Sequence, residues 1–187
     1  MWIDQLIAAG PVVTDGAWGT QLQTLGLSGG ACPDEWNLSH PDIVAEVPRR
    51  YVEAGSQIVL TNTFRANRIA LTSYDLADQA AEINRLGVEI SRRAVGDRAH
   101  VFASMGPTGK MLLAGEVSED ELRTVFAEQA RTLADAGADA LVIETMAELE
   151  EAELAVAAAR QTGLPVVACV VFDSGAEHDR TDRKSVV

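Results

Sequence analysis

Apolar residues along this chain follow two alternating rhythms. Short apolar, largely β-branched runs occur at Val12-Val13-Thr14, Ile58-Val59-Leu60, Val101-Phe102-Ala103, Leu141-Val142-Ile143 and Val166 to Phe172, and each reads as a strand. Between them the apolar positions recur at helical spacing. Ile43, Val44, Val47, Tyr51 and Val52 mark one helix, and Ala80, Ile83, Leu86, Val88 and Ile90 mark a longer one over Leu76 to Val95. Leu122, Val125, Phe126 and Leu133 mark a third, and the Ala/Glu-rich stretch Glu148 to Gln161 a fourth. A short leading helix ends over Leu6 to Ala9, closed by Gly10-Pro11, and Gly26 to Trp36 reads as a loop. Pro41 suits a first helical position, Ser118 and Glu121 form a capping box, and Gly96 and Gly137 suit helix ends. Pro48, inside the first of these helices, is expected to kink it at a cost of about 3 kcal/mol.

Strict strand–helix alternation predicts parallel strands joined by right-handed crossovers. Strands apolar on both sides predict a sheet buried on both faces. A doubly wound open sheet and a (β/α)8 barrel both begin this way, and periodicity does not choose between them.

The polar residues cluster at the strand ends: Asp15-Gly16, Asn62-Thr63, Gly106, Glu144-Thr145 and Asp173-Ser174-Gly175. In parallel α/β folds those C-terminal ends form the binding face. The stretch Glu53 to Thr63 repeats the plan of Asp135 to Thr145, with Asn62 at the position of Glu144. Carboxylates and an amide converging there suit a ligand with a cationic amino group, such as an amino acid. Asp15 and Asp173 also fit turn or helix caps, whereas a Glu directly after Leu141-Val142-Ile143 has no cheap structural use. The run Asp15-Gly16-Ala17-Trp18-Gly19-Thr20 exposes backbone N–H groups suited to a small anionic group, but it is not a dinucleotide fingerprint. No serine has a nucleophile-elbow context, and none of His40, His100 and His178 is placed as a base beside a nucleophile. Cys169 alternates into a strand interior and reads as core.

Composition narrows the function classes. The 187 residues are 47% apolar and 23% charged, which suits one folded domain with a substantial core. A net charge of -13 disfavours nucleic acid and anionic membrane as partners. No apolar run is long enough to span a bilayer, and the N-terminal residues lack a signal-peptide pattern. Two distant cysteines, Cys32 and Cys169, form no disulfide framework and suit a reducing compartment, so a cytoplasmic location is expected.

Together these stretches resemble the homocysteine S-methyltransferase family. The resemblance rests on Asp15 to Thr20, Pro33 to Leu38 with His40-Pro41-Asp42, Thr61 to Phe64 with Asn67, Gly106 to Gly109, Glu144-Thr145 and Phe172 to Gly175. It is closest to the homocysteine-binding module of cobalamin-dependent methionine synthases and their single-domain relatives. It implies a (β/α)8 TIM-type barrel and transfer of a methyl group to the homocysteine thiol, giving methionine. It further implies that Asp15, Gly16, Ala17, Gly19 and Thr20 line the amino-acid pocket, with Asn62 and Thr63 beside it. Glu144 would pair with the substrate ammonium, and Asp173 would stand at the fifth tip.

The resemblance also implies a zinc ion that binds the substrate sulfur as thiolate. In the family, zinc is held by an Asn-Cys step after the sixth strand and a Cys-Cys pair after the eighth. Neither Cys32 nor Cys169 matches such a ligand, so no metal residue is assigned. Residues 1–187 are expected to be the N-terminal portion of the barrel, truncated after about the fifth strand, with 180–187 an atypical tail. The expectation is therefore an inactive methyltransferase domain, or alternatively a non-catalytic half-barrel that binds an amino acid. Its open edges predict an oligomer or a partner chain. A corrinoid protein or domain is a candidate partner, and the methyl donor (methyl-corrinoid, methylfolate or sulfonium) stays open.

Overall fold

A computed structural model of the chain describes residues 2–171. Asp173 and the 180–187 tail lie outside the described residues, as does Phe172 at the end of the expected fifth strand.

The described chain opens with helix α1 (Trp2–Ala8), followed by α2 (Trp18–Thr24), α3 (Trp36–Ser39) and α4 (Pro41–Glu53). Strict alternation then follows: β1 (Ile58–Val59), the short α5 (Arg68–Leu71), α6 (Ala80–Val95), β2 (His100–Met105), α7 (Glu119–Asp135), β3 (Ala140–Met146), α8 (Leu149–Arg160) and β4 (Val166–Val170). The strands form one open, four-stranded parallel sheet in sequence order. No helix of the described residues is long and apolar enough to cross a membrane.

Several expectations are corrected by this architecture. The expected first strand is reduced to one parallel bridge between Thr14 and Ile58. Val13 still accepts the Gln57 N–H at 2.8 Å, and Asp15 donates its N–H to Ile58 at 3.0 Å. Pro11 has no N–H to give, and the chain turns at Gly16, so no longer ladder forms. Residues Trp18 to Thr24, the first three of which belong to the Asp15 to Thr20 run, form a helix that the sequence reading does not place. The helix expected over Leu76 to Val95 is split, a 3-10 turn at Ala77–Gln79 preceding α6. Helix α4 is continuous through the buried Pro48. The expected capping box forms, with Ser118 accepting from the Glu121 N–H and Glu121 from the Ser118 N–H.

The strand period decides which residues reach which layer. Val59, Val101, Ala103, Met105, Leu141 and Ile143 face outward into the main core, where they meet α4, α6, α7 and α8. Ile58, Phe102, Ala140 and Val142 face inward and pack with Trp2, Ile3 and Leu6 of α1. Trp2 stacks on His100 at 4.4 Å and meets Phe102 edge-on at 6.0 Å. Helix α1 thereby closes the N-terminal end of the inner face. Burial falls along β4, whose last three residues are exposed.

Candidate functional site

The inner face of the sheet encloses a cavity of about 670 Å³. Its walls change character along the strands. Near α1 they are apolar, made by Leu6, Val12, Ile58, Phe102, Val142 and Val167. One step further toward the strand C-termini, the same inward positions are Thr14, Leu60, Ser104, Glu144 and Cys169. Asn62, Asp34 and Arg65 join them at the rim.

Glu144 owes its position to a break in β3. The register with β4 shifts between Ile143 and Met146, and Thr145 adopts φ 62°. Left-handed backbone is rare for a β-branched residue and carries a strain of roughly 1–3 kcal/mol. The bulge lets Glu144 continue the inward series of Ala140 and Val142, then returns Met146 to the outer core. Glu144 accepts a short hydrogen bond from the Ser104 hydroxyl, two strands' inward positions meeting side by side.

Asp15 lies across the cavity wall at the end of the reduced first strand. Its Oδ2 accepts the Trp18 indole N–H and the Leu60 N–H, both at 2.8 Å, which ties the turn to β1. Its Oδ1 is buried and has no partner among the described residues. Burial pushes the Asp15 pKa up to about 6; the two hydrogen bonds oppose the shift, and the negative charge of Glu144 adds to it. A buried carboxylate oxygen without a donor, near a second carboxylate, calls for a cation.

Of the sequence-derived residues, Asp15, Gly16, Ala17, Gly19, Asn62 and Glu144 line the cavity. Thr20 and Thr63 do not. Thr20 is exposed on α2, and Thr63 is fully buried, donating its hydroxyl to the Ser104 carbonyl at 2.7 Å. Asn62 is on the wall, but its amide is spent on structure, donating to the Pro33 carbonyl at 2.7 Å and to Asn37 Oδ1 at 3.0 Å. The Asn37 amide in turn donates to the Asn62 carbonyl at 2.7 Å and the Ile83 carbonyl at 3.0 Å. This buried amide cluster fixes the β1 tip against α3 and α6. Gly87 of α6 passes so close that a Cβ there would lie 2.4 Å from Thr63 Cγ2.

Trp18, Asp34, Arg65 and Ser104 also line the wall, and the sequence reading assigns none of them to the site. Ser104 could have been found, because it interrupts an apolar strand in phase with Phe102. Asp34 and Arg65 meet across the fold, with Asp34 Oδ1 accepting the Arg65 N–H at 3.1 Å. Burial raises Asp34 to about 6, against the pull of that hydrogen bond and of the Arg65 charge. Cys169 is corrected from core to cavity wall: it keeps the expected strand parity, but that face is open, and the residue is exposed.

The loop between β2 and α7 overhangs this end of the strands and is anchored from below by α8. Glu151 is buried and accepts both the N–H and the hydroxyl of Thr108, at 2.8 and 2.7 Å. Glu148 accepts the Leu112 N–H at 3.0 Å and the Leu113 N–H at 3.4 Å. Burial raises the pKa of Glu151; the two Thr108 donors oppose the shift, and the Glu148 charge adds to it.

A zinc ion does not fit the described residues. No three His, Cys, Asp or Glu side chains among them converge to hold a metal ion. The wall thiol, Cys169, has its pKa raised by partial burial and by the Glu144 charge, and it is the one cysteine on the wall among the described residues.

Comparison with known proteins bears on this geometry. A family profile described as homocysteine S-methyltransferase matches residues 12–186. The chain is 36% identical over 171 residues to methionine synthase of Mycobacterium leprae and 35% identical over 164 residues to that of Mycobacterium tuberculosis. These matches cover 84% and 80% of this chain but only 14% of either relative, so the chain spans about one seventh of their length. Among solved structures, the metallated homocysteine methyltransferase MmuM of Escherichia coli superposes with a TM-score of 0.77 at 22% identity. That superposition covers 89% of this chain and 65% of MmuM, and it supports the fold: a partial TIM-barrel-type arrangement.

Proposed function

The chain belongs to the homocysteine S-methyltransferase family, and from that premise we propose that its cavity is a homocysteine site, with the substrate ammonium held between Asp15 and Glu144. The observation that carries this reading is the orphaned, buried Oδ1 of Asp15 on the same cavity wall as Glu144. An ammonium group supplies the missing donor, and its charge offsets both the burial that chiefly raises Asp15 and the smaller repulsion from Glu144. The apolar wall of Phe102 and Val142 suits the methylene chain. The reaction served would be methyl transfer to the homocysteine thiol, giving methionine, from a corrinoid, folate or sulfonium donor. In the family that chemistry uses a zinc-bound thiolate. The chain's own residues contribute binding and orientation: Asp15 and Glu144 hold the ammonium, and Ser104 fixes the Glu144 carboxylate by its hydrogen bond. The 187-residue chain alone is expected to bind homocysteine without converting it.

Calorimetric titration with L-homocysteine tests this reading. Glu144→Gln should weaken binding about tenfold or more, the value of one charge-assisted hydrogen bond. Binding should also weaken below about pH 6 as Asp15 takes up its proton. Equal affinity in wild type and Glu144→Gln would overturn the assignment, and methionine formation by the purified chain would overturn the expected lack of turnover.

A second reading draws on β4, whose exposed last residues leave one edge of the sheet without a neighbour among the described residues. Such an edge can accept a further strand from a partner chain. A monodisperse monomer in sedimentation at high concentration would count against it.

A further inference from the structure

Arg65 has no part in the reading above. It is half-buried, and it is the one Lys, Arg or His among the described residues on the cavity wall. Its backbone is fixed, since its N–H donates to the buried Asp34. Its guanidinium, by contrast, makes no hydrogen bond or ion pair among the described residues. Arg49, Arg68, Arg85, Arg92 and Arg123 each pair with a carboxylate. Arg98 donates to two carbonyls. The remaining arginines without such a bond, Arg50, Arg93, Arg131 and Arg160, are exposed and solvated.

Arg65 is therefore the exception, a partly desolvated cation whose five donors have nothing to meet among the described residues. It stands at the rim between the β1 tip and the β2–α7 loop. Its Nη2 lies 3.7 Å from where a Cβ of Gly109 would sit, so the loop passes it without a side chain in the way. Asp34 does not neutralise it by contact. The Asp34 carboxylate serves the Arg65 backbone instead, and its raised pKa shows that the guanidinium charge only partly offsets burial. The wall thus has two poles: Asp15 and Glu144, which call for a cation, and Arg65, which calls for an anion.

We propose that Arg65 is the carboxylate-recognising residue of this cavity, and thereby a determinant of its specificity. The inference rests on the homocysteine reading for the ammonium pole. A planar guanidinium with free donors binds a carboxylate in a bidentate manner, which fixes orientation as well as affinity. The carboxylate has two candidate sources: the α-carboxylate of the amino acid itself, or a carboxylate on a second ligand entering over the rim.

Calorimetry with wild type, Arg65→Met and Arg65→Lys separates these cases. The first arm compares L-homocysteine with 3-aminopropanethiol, the same molecule without its carboxylate. The second arm titrates succinate into protein saturated with 3-aminopropanethiol. If the α-carboxylate is the partner, Arg65→Met weakens homocysteine about ten- to a hundredfold and leaves 3-aminopropanethiol unchanged. If a second ligand is the partner, homocysteine is unaffected, and succinate binds wild type but not Arg65→Met. Arg65→Lys recovers part of the loss in either case, because charge remains while the bidentate fork is gone. Thermal unfolding should change little, since the guanidinium holds no bond among the described residues; Arg65→Met loses only the partial charge compensation of the buried Asp34, which Arg65→Lys retains. Equal effects on both thiols, or no effect in either arm, would overturn the proposal. If wild type binds neither thiol, the homocysteine reading fails. Succinate titrated into the free protein then decides on Arg65 alone: binding lost in Arg65→Met supports the proposal, and no such binding overturns it.

Discussion

Replacing Gly87 with alanine sets two opposed effects against each other. In a helix interior the exchange gains about 1 kcal/mol, because alanine loses less backbone entropy. Here the added Cβ would meet Thr63 Cγ2 at 2.4 Å, Asn37 Nδ2 at 2.9 Å and the Asn62 carbonyl at 3.4 Å. Carbon atoms prefer about 3.5–4.0 Å, so the Thr63 methyl must retreat by roughly 1 Å. It cannot do so freely. Thr63 is fully buried, and its hydroxyl is held by Ser104 and Thr61 at 2.7 and 2.6 Å. Asn37 is likewise fully buried and committed to two carbonyls. Overpacking costs about 1–3 kcal/mol, and a disrupted buried hydrogen bond about as much again. The net expectation is a loss of about 2 kcal/mol, or a drop in Tm of about 4–8 °C for a chain of this size. Urea and thermal unfolding measure it. Thr63→Ser deletes the methyl that the new Cβ meets and keeps the hydroxyl, so the double variant should recover about 1 kcal/mol. Gly19→Ala, with nothing within 4 Å of the added Cβ, should leave stability unchanged or slightly raised. A Gly87→Ala protein as stable as wild type would refute the argument from close approach.

Buried carboxylates give two further expectations. Asp34 titrates near pH 6 in the folded protein, above its ordinary value of 3.8, so the folded state holds the extra proton. Its contribution must therefore reduce stability as pH rises from about 4 to 6 and stay constant beyond. Asp34→Asn keeps an acceptor for the Arg65 N–H and removes the charge; urea midpoints should show a flatter pH profile and a gain above pH 6 of up to about 3 kcal/mol, and an unchanged profile would contradict the assignment. Glu151→Ala leaves the Thr108 N–H and hydroxyl without their acceptor and should cost about 2–4 kcal/mol, with faster amide exchange across 108–113. Glu151→Gln retains an acceptor and should cost less than half as much, which unfolding midpoints would show.

Strand parity is the most legible feature of the sequence. It places Asn62 and Glu144 at equivalent tips, and both reach the cavity wall. The same parity turns Thr63 outward, so the two residues of that tip do not act as a pair. Cys169 departs from expectation for another reason: alternation tells which face a residue takes, not whether that face is covered. Helix α2 is hidden by Gly16 and Gly19, which lower local helix propensity, while the Asp15–Trp18 bond that fixes its start involves side chains. Asp34 and Arg65 are out of reach, because their contact joins positions 31 residues apart and no local pattern encodes it. The strain at Thr145 is equally invisible, since nothing in a threonine announces a left-handed backbone.

The way Glu148 and Glu151 grip the β2–α7 loop has a consequence for how this protein can change. Three of the four groups they hold are main-chain N–H groups, of Thr108, Leu112 and Leu113, and every amino acid except proline carries one. The anchorage is therefore indifferent to which side chains the loop displays between those points. Lys110, Met111 and Leu113 project from it into solvent. A segment secured by its backbone and free in its side chains can be rewritten by mutation without coming loose, so the rim can acquire a new neighbour while the chamber beneath keeps its shape.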